Sequence, residues 1–131
     1  MSRSLRTVTV ALTTIALVGI VDAPAQAAAS ACTHHWSGPQ ICISTTGESG
    51  SPNPGRVSTA WTNPPAKRRT ATVHITEPGG LSYTKTARRS KGQLIASFWP
   101  YRSMSDGKLC ARYEGSSRTA CVQIINRHLG S

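Results

Sequence analysis

Helix signals are almost missing from this chain. No eleven-residue window places apolar side chains at spacings of three and four behind a capping residue. Long apolar runs are missing as well. The most sustained one, Thr7 to Val21, is 15 residues, short of the ~20 that a membrane span requires. Closely spaced cysteines are absent: the four cysteines leave gaps of nine and ten residues within the two nearest pairs. That spacing argues against zinc held by C-x₂-C and against a C-x-x-C redox pair. His34 and His35 beside Cys32 would be further ligands, but no metal and no other cofactor is expected.

Catalytic motifs are also missing. There is no G-x-S-x-G, no H-E-x-x-H and no nucleophile spaced to meet a base, so no catalytic residue is assigned and no enzymatic activity is expected. A small secreted nuclease would need a base, an acid and a cation around a phosphate. His74, Glu77, Arg88 and His128 could be cast in those parts. However, His74 shares a strand face with threonines, Glu77 precedes a Pro-Gly-Gly turn, and His128 lies in the tail. Acidic residues are scarce: 5 Asp and Glu stand against 15 Lys and Arg, giving a formal charge of +10.

What is present begins with an export signal. Arg3 and Arg6 precede the apolar run, and DAPAQAAASA follows it. A basic start, a short apolar segment and small residues form a secretory signal peptide. Ala25 and Ala27 suit the −3 and −1 positions, so residues 1–27 are read as the signal and 28–131 as a single secreted domain. A lipoprotein site at Cys32 is set aside, because no leucine stands three residues before it and acylation would strand Cys42. The mature chain loses Arg3, Arg6 and Asp22, leaving 15 − 2 = 13 bases and 5 − 1 = 4 acids, a charge of +9. A domain this small buries a limited core and gains from cross-links, and an oxidising compartment allows its cysteines to form them.

Threonine, serine and valine dominate the domain, and turn residues recur every eight to twelve positions. Strands are read over Ile41–Thr45, Arg56–Thr62, Thr70–Thr76, Ser82–Arg88 and Gln93–Trp99, with a terminal hairpin spanning Lys108–Ile124. Val57, Thr59 and Trp61 share one face; Ala71, Val73 and Ile75 point inward, opposite Thr70, Thr72, His74 and Thr76. Between strands lie the soft loop GESGSPNPG (Gly47–Gly55), the breaker Asn63-Pro64-Pro65 and the basic loop Arg89–Gly92. The pattern predicts an all-β fold: an immunoglobulin-like sandwich of about seven short antiparallel strands, with a small β-barrel as the alternative.

Cys110 and Cys121 are symmetric about the midpoint between Gly115 and Ser116. Folding the segment there opposes Tyr113 to Arg118, Ala111 to Ala120 and the two cysteines to each other, within disulfide range. A two-residue Gly-Ser turn and a four-residue loop, Glu114–Ser117, share that centre. Parity puts Leu109, Ala111, Tyr113, Ala120, Val122 and Ile124 on an apolar face, with the cysteines on the other. Cys32 and Cys42 then pair by default around Ser37-Gly38-Pro39, although four cysteines allow three connectivities.

Two features suggest binding. Lys67, Arg68 and Arg69 follow the diproline, and Lys85, Arg88, Arg89 and Lys91 surround a later loop. Clustered loop cations hold polyanions with strongly salt-dependent affinity. Candidate partners are an anionic polymer or a cell surface; the same charge would equally serve solubility alone. Aromatics are few, with 3 Trp, 3 Tyr and 1 Phe. Phe98-Trp99-Pro100-Tyr101-Arg102 spans a strand end, so at least one of Trp99 and Tyr101 should face solvent and could stack on a ring. Packing as a lid over the core is the plainer role for them.

The alanine-rich export signal, VSTAWTNPP at Val57–Pro65 and DGKLCARYEG…CVQI at Asp106–Ile124 look like small secreted actinobacterial proteins, a largely uncharacterised group. That resemblance implies export and a disulfide-stapled β-fold and carries over no catalytic residue. Actinobacterial chromoprotein antibiotic carriers are similar in being exported, two-disulfide, immunoglobulin-like domains, but their cysteine spacing differs. The expected function is non-catalytic binding of an anionic partner by a monomer, with a small-ligand carrier or protein inhibitor as the alternative.

Overall fold

The computed structural model describes residues 29–33, 38–48 and 51–125. The expected signal peptide and its cut, the pair His34–His35, Trp36, Arg127 and His128 lie outside the described residues. Among the described residues, eight strands follow one another: β1 Ser30–Cys32, β2 Ile41–Thr45, β3 Val57–Trp61, β4 Thr70–Thr76, β5 Ser82–Ser90, β6 Gln93–Phe98, β7 Gly107–Tyr113 and β8 Thr119–Ile124. The all-β expectation holds, and the arrangement is the barrel rather than two separate layers. The eight strands form one sheet in the order β1-β2-β3-β6-β5-β4-β7-β8, paired antiparallel throughout. The sheet curls until β1 and β2 pack against β8 and β7.

The topology is a Greek key: β4, β5 and β6 are joined by hairpins, and β7 returns beside β4. Two long connections make this possible, 62–69 stepping over β6 and β5, and 99–106 stepping back over β5 and β4. Asn63-Pro64-Pro65 forces the first of these out of the ladder, because proline has no N–H to give.

Alternation builds the core. Val57, Thr59 and Trp61 on β3, Ala71, Val73 and Ile75 on β4, and the predicted apolar face of the terminal hairpin are all buried. Ile41, Ile43 and Leu94 complete the interior from β2 and β6. Tyr113 crosses it. Its hydroxyl donates to the Leu94 carbonyl at 2.9 Å and lies 2.9 Å from the Thr59 hydroxyl. With the phenolic proton on Leu94, the Thr59 proton is shared between Tyr113 and the Ala96 carbonyl at 3.3 Å. Burial pushes the Tyr113 phenol up to about 12, with the Thr59 bond pulling the other way.

Several local readings are corrected. β1 precedes the first predicted strand; three residues are too few to show alternation, and pairing with β2 holds them. β5 runs on to Ser90, so Arg89 belongs to a strand and only Lys91-Gly92 form the turn, with φ of 51° and 78°. Positive φ at both central positions is the type I′ geometry whose twist suits a hairpin. β6 stops at Phe98, one residue before Trp99. The described residues of the loop after β2 are anchored: Gly47 N–H donates to the Pro54 carbonyl at 2.8 Å, and Met104 N–H to the Pro52 carbonyl at 2.7 Å.

Both predicted disulfides are formed, Cys32–Cys42 and Cys110–Cys121. Each joins residues directly opposed in a ladder, one within β1–β2 and the other within β7–β8. The terminal hairpin turns differently from both loops considered. Glu114 N–H donates to the Thr72 carbonyl on β4, which keeps the chain extended past Tyr113. Gly115 then turns at φ 95°, and Ser116 N–H closes onto the Tyr113 carbonyl at 3.0 Å.

Candidate functional site

Strand register decides where the cations go. Ile41 opposes Trp61, Trp61 opposes Leu94, Leu94 opposes Arg89, and Thr70 opposes Arg88. The 62–69 connection, the Lys91-Gly92 turn and the 114–118 turn therefore share one end of the barrel. That end carries Lys67, Arg68, Arg69, Arg88, Arg89, Lys91 and Arg118, with Glu114 as its acid. The other described acids, Glu48, Glu77 and Asp106, belong to connections at the opposite end. Two runs some twenty residues apart in sequence thus converge, and the charge is polarised along the barrel.

Two of the arginines are committed to building this end. The Arg89 Nε donates to the Arg68 carbonyl at 2.9 Å and its Nη2 to the Pro65 carbonyl at 2.7 Å. Arg68 Nη1 donates to the Glu114 carbonyl at 2.9 Å, and the guanidinium lies 5.4 Å above the buried Trp61 ring. These bonds fasten the connection that proline pushed out of the sheet. They leave the positive charge in place, because the acceptors are neutral backbone carbonyls. Lys67, Arg69, Arg88 and Lys91 stand exposed around this frame. Among the described residues, no ion pair engages them. Four long, adaptable cations thus stand over a rigid base, in a field that adds rather than cancels.

Gly115 is part of this frame. A Cβ there would come within 2.9 Å of the Arg68 guanidinium, on a backbone already at positive φ. Gly115→Ala is expected to cost ~1–2 kcal/mol, read as a lower urea midpoint with unchanged slope.

The remaining candidates are placed elsewhere. Lys85 opposes Val73 in the middle of β5, and its ammonium lies 5.6 Å from the Tyr83 ring centroid and 5.0 Å from that of Phe98. It does not join the basic end. Trp99 and Tyr101 both face solvent at the opposite end. Trp61, the last residue of β3, is buried and packs edge-on against Tyr113 with centroids 5.7 Å apart. The residues weighed for a nuclease are scattered. His74 is on the outer face of β4, 4.0 Å from a Glu114 oxygen. Glu77 is buried and held by both arms of Arg102. Arg88 is at the basic end. Sequence reasoning missed the Glu77–Arg102 pair, because the two lie 25 residues apart on connections that only the fold brings together.

Among the described residues, no group of three or more His, Cys, Asp and Glu side chains could hold a metal ion, and no helix is long and apolar enough to cross a membrane. No protein-family model, no curated protein and no solved structure matches this chain.

Proposed function

We propose that this is an exported, non-catalytic binding protein that takes an anionic partner, a cell-wall polymer, polysaccharide or nucleic acid, at the basic end of its barrel. The observation that carries this reading is the convergence of Lys67–Arg69 and Arg88–Lys91 at one end, away from three of the four described acids. Charge spread only for solubility would not need that polarity. Export is supported by the features of residues 1–27, by the resemblance to secreted actinobacterial proteins, and by the pairing of the described cysteines in disulfides. The reading as a carrier has less behind it, since Tyr113, Leu94, Leu109 and the aliphatic residues around them fill the interior.

The test is binding to cell-wall material, a heparin-like polymer and a duplex oligonucleotide as salt is raised. With about four contacts to phosphate, affinity for the duplex should fall ~10²-fold between about 50 and 200 mM salt. Replacing Lys67, Arg69, Arg88 and Lys91 together with alanine should abolish retention while thermal melting changes little. No retention on any of the three at low salt, or full retention by the fourfold variant, would end the proposal.

A further inference from the structure

A second surface stands at the opposite end of the barrel, where β6 runs out. Alternation points Leu94, Ala96 and Phe98 inward and continues outward to Trp99. Tyr101 then adopts φ 56°, a left-handed backbone that a bulky residue rarely takes. Together these put two rings in solvent, Trp99 at 52% and Tyr101 at 83% exposure. The planes are 23° apart and the centroids 6.3 Å. Displaying two large rings forgoes the burial that would stabilise the fold, and strained backbone persists where the surroundings impose it, often at ligand sites.

Trp99 borders a cleft on either side, and Tyr101 lines one of them. One cleft, about 380 Å³, is edged by the hydrogen-bonding groups of Glu48, Ser51 and Asn53. The other, about 390 Å³, runs over Tyr83, Lys85 and Phe98 to Arg102. It exists because the β5–β6 ladder is registered only from Arg88↔Ile95 to Ser90↔Gln93. Beyond that point Tyr83 and Lys85 share inward parity with Ala87, yet Tyr83 is only half-buried and Lys85 stands exposed. Arg102 is already neutralised by Glu77. Lys85 is held against the Tyr83 and Phe98 rings, and no carboxylate pairs with it among the described residues.

We infer that this surface binds an acidic glycan one sugar at a time. The C–H face of a uronic acid ring packs on the Trp99–Tyr101 ridge, and its carboxylate is taken by Lys85. The ring faces are electron-rich and favour the positively polarised edge of a C–H surface. The single unpaired cation in the adjoining cleft selects a sugar carrying one anionic group. This site is separate from the basic end, and either can fail without the other.

The experiment uses the full-length mature protein with Lys67, Arg69, Arg88 and Lys91 already replaced by alanine, so that polyanion capture at the basic end cannot contribute. A galacturonic acid trimer is titrated in and followed by calorimetry and tryptophan fluorescence, beside a neutral galactose trimer. Trp99→Ala and Tyr101→Ala should each weaken uronate binding at least about tenfold, Trp99→Phe should retain it, and Lys85→Gln should erase the preference over the neutral trimer. Both rings are exposed, so the alanine variants should melt as their parent does. The inference is overturned by any of four results: no uronate binding, binding unchanged by Trp99→Ala, equal binding of the two trimers, or a preference that survives Lys85→Gln. A short single-stranded oligonucleotide that binds more tightly with the same Trp99 dependence would assign the ridge to bases and overturn it too.

Discussion

Replacing all four cysteines with alanine is expected to unfold the domain at ordinary temperature. Each cross-link closes a short loop, with sequence separations of 10 and 11. Loop-closure entropy assigns about 3 kcal/mol to a loop of that order. Two such terms total ~6 kcal/mol, against the ~5–15 kcal/mol by which domains are normally stable. Their position strengthens the expectation. In the strand order, β1–β2 and β7–β8 are the two terminal pairs of the sheet, and each carries one staple. The barrel closes between them by packing, and no registered ladder joins β1 to β8 among the described residues. β1 is only three residues long. Besides its ladder it has the Cys32–Cys42 bond and three flanking hydrogen bonds, Thr33 N–H to the Ile41 carbonyl, Ile41 N–H to the Thr33 hydroxyl and Thr45 N–H to the Ala29 carbonyl. Losing both staples loosens both sides of one seam, so the effects should at least add. Urea denaturation of each alanine pair and of the fourfold variant checks this. A loss below about 1 kcal/mol for either pair would show that the hairpin holds without its cross-link.

The sequence already contained what neighbours in the chain determine. Alternation over Thr70–Thr76 and Leu109–Ile124 identified the inward faces, because the side-chain period of a strand is fixed by its geometry. The symmetry of Cys110 and Cys121 identified their partnership for the same reason. Pairing between distant segments was not legible. Nothing in Val57–Trp61 announces that it will lie beside Gln93–Phe98 rather than beside Thr70–Thr76. The choice between sandwich and barrel therefore stayed open, and so did the question of whether the two basic runs meet. Lys85 looked like part of the second run by proximity, yet strand register carries it along β5 toward the far end. The loss of β5–β6 pairing that exposes it is a tertiary event with no local signature. The exposure of Trp99 was half legible: alternation from Leu94 points it outward, but only the backbone at Tyr101 shows that the second ring joins it.

Tyr113→Ala is expected to cost ~3–5 kcal/mol, in the range for deleting a large buried ring. The side chain is fully buried, packs against Trp61, and bonds across the barrel to β3 and β6. A milder change isolates the hydroxyl. Tyr113→Phe removes one donor and one acceptor from that bridge and should cost ~1–2 kcal/mol near neutral pH. The same hydroxyl makes stability depend on alkali. In the folded state burial raises the phenol from 10.0 to about 12, whereas the unfolded chain ionises at the ordinary value. Below about pH 10 the phenol is neutral in both states and its contribution is complete. Between about pH 10 and 12 the unfolded chain releases the proton first, so stability declines by on the order of 2–3 kcal/mol across the window. Burial also raises the phenol of Tyr83, which acts in the same direction in both proteins. The phenylalanine variant lacks only the Tyr113 share. It should therefore be less stable than the parent at pH 8 and more stable above about pH 11. Denaturant midpoints for the two proteins between pH 8 and 12 will show whether the curves cross. Parallel curves would mean that the Tyr113 phenol ionises as readily inside the barrel as in the unfolded chain.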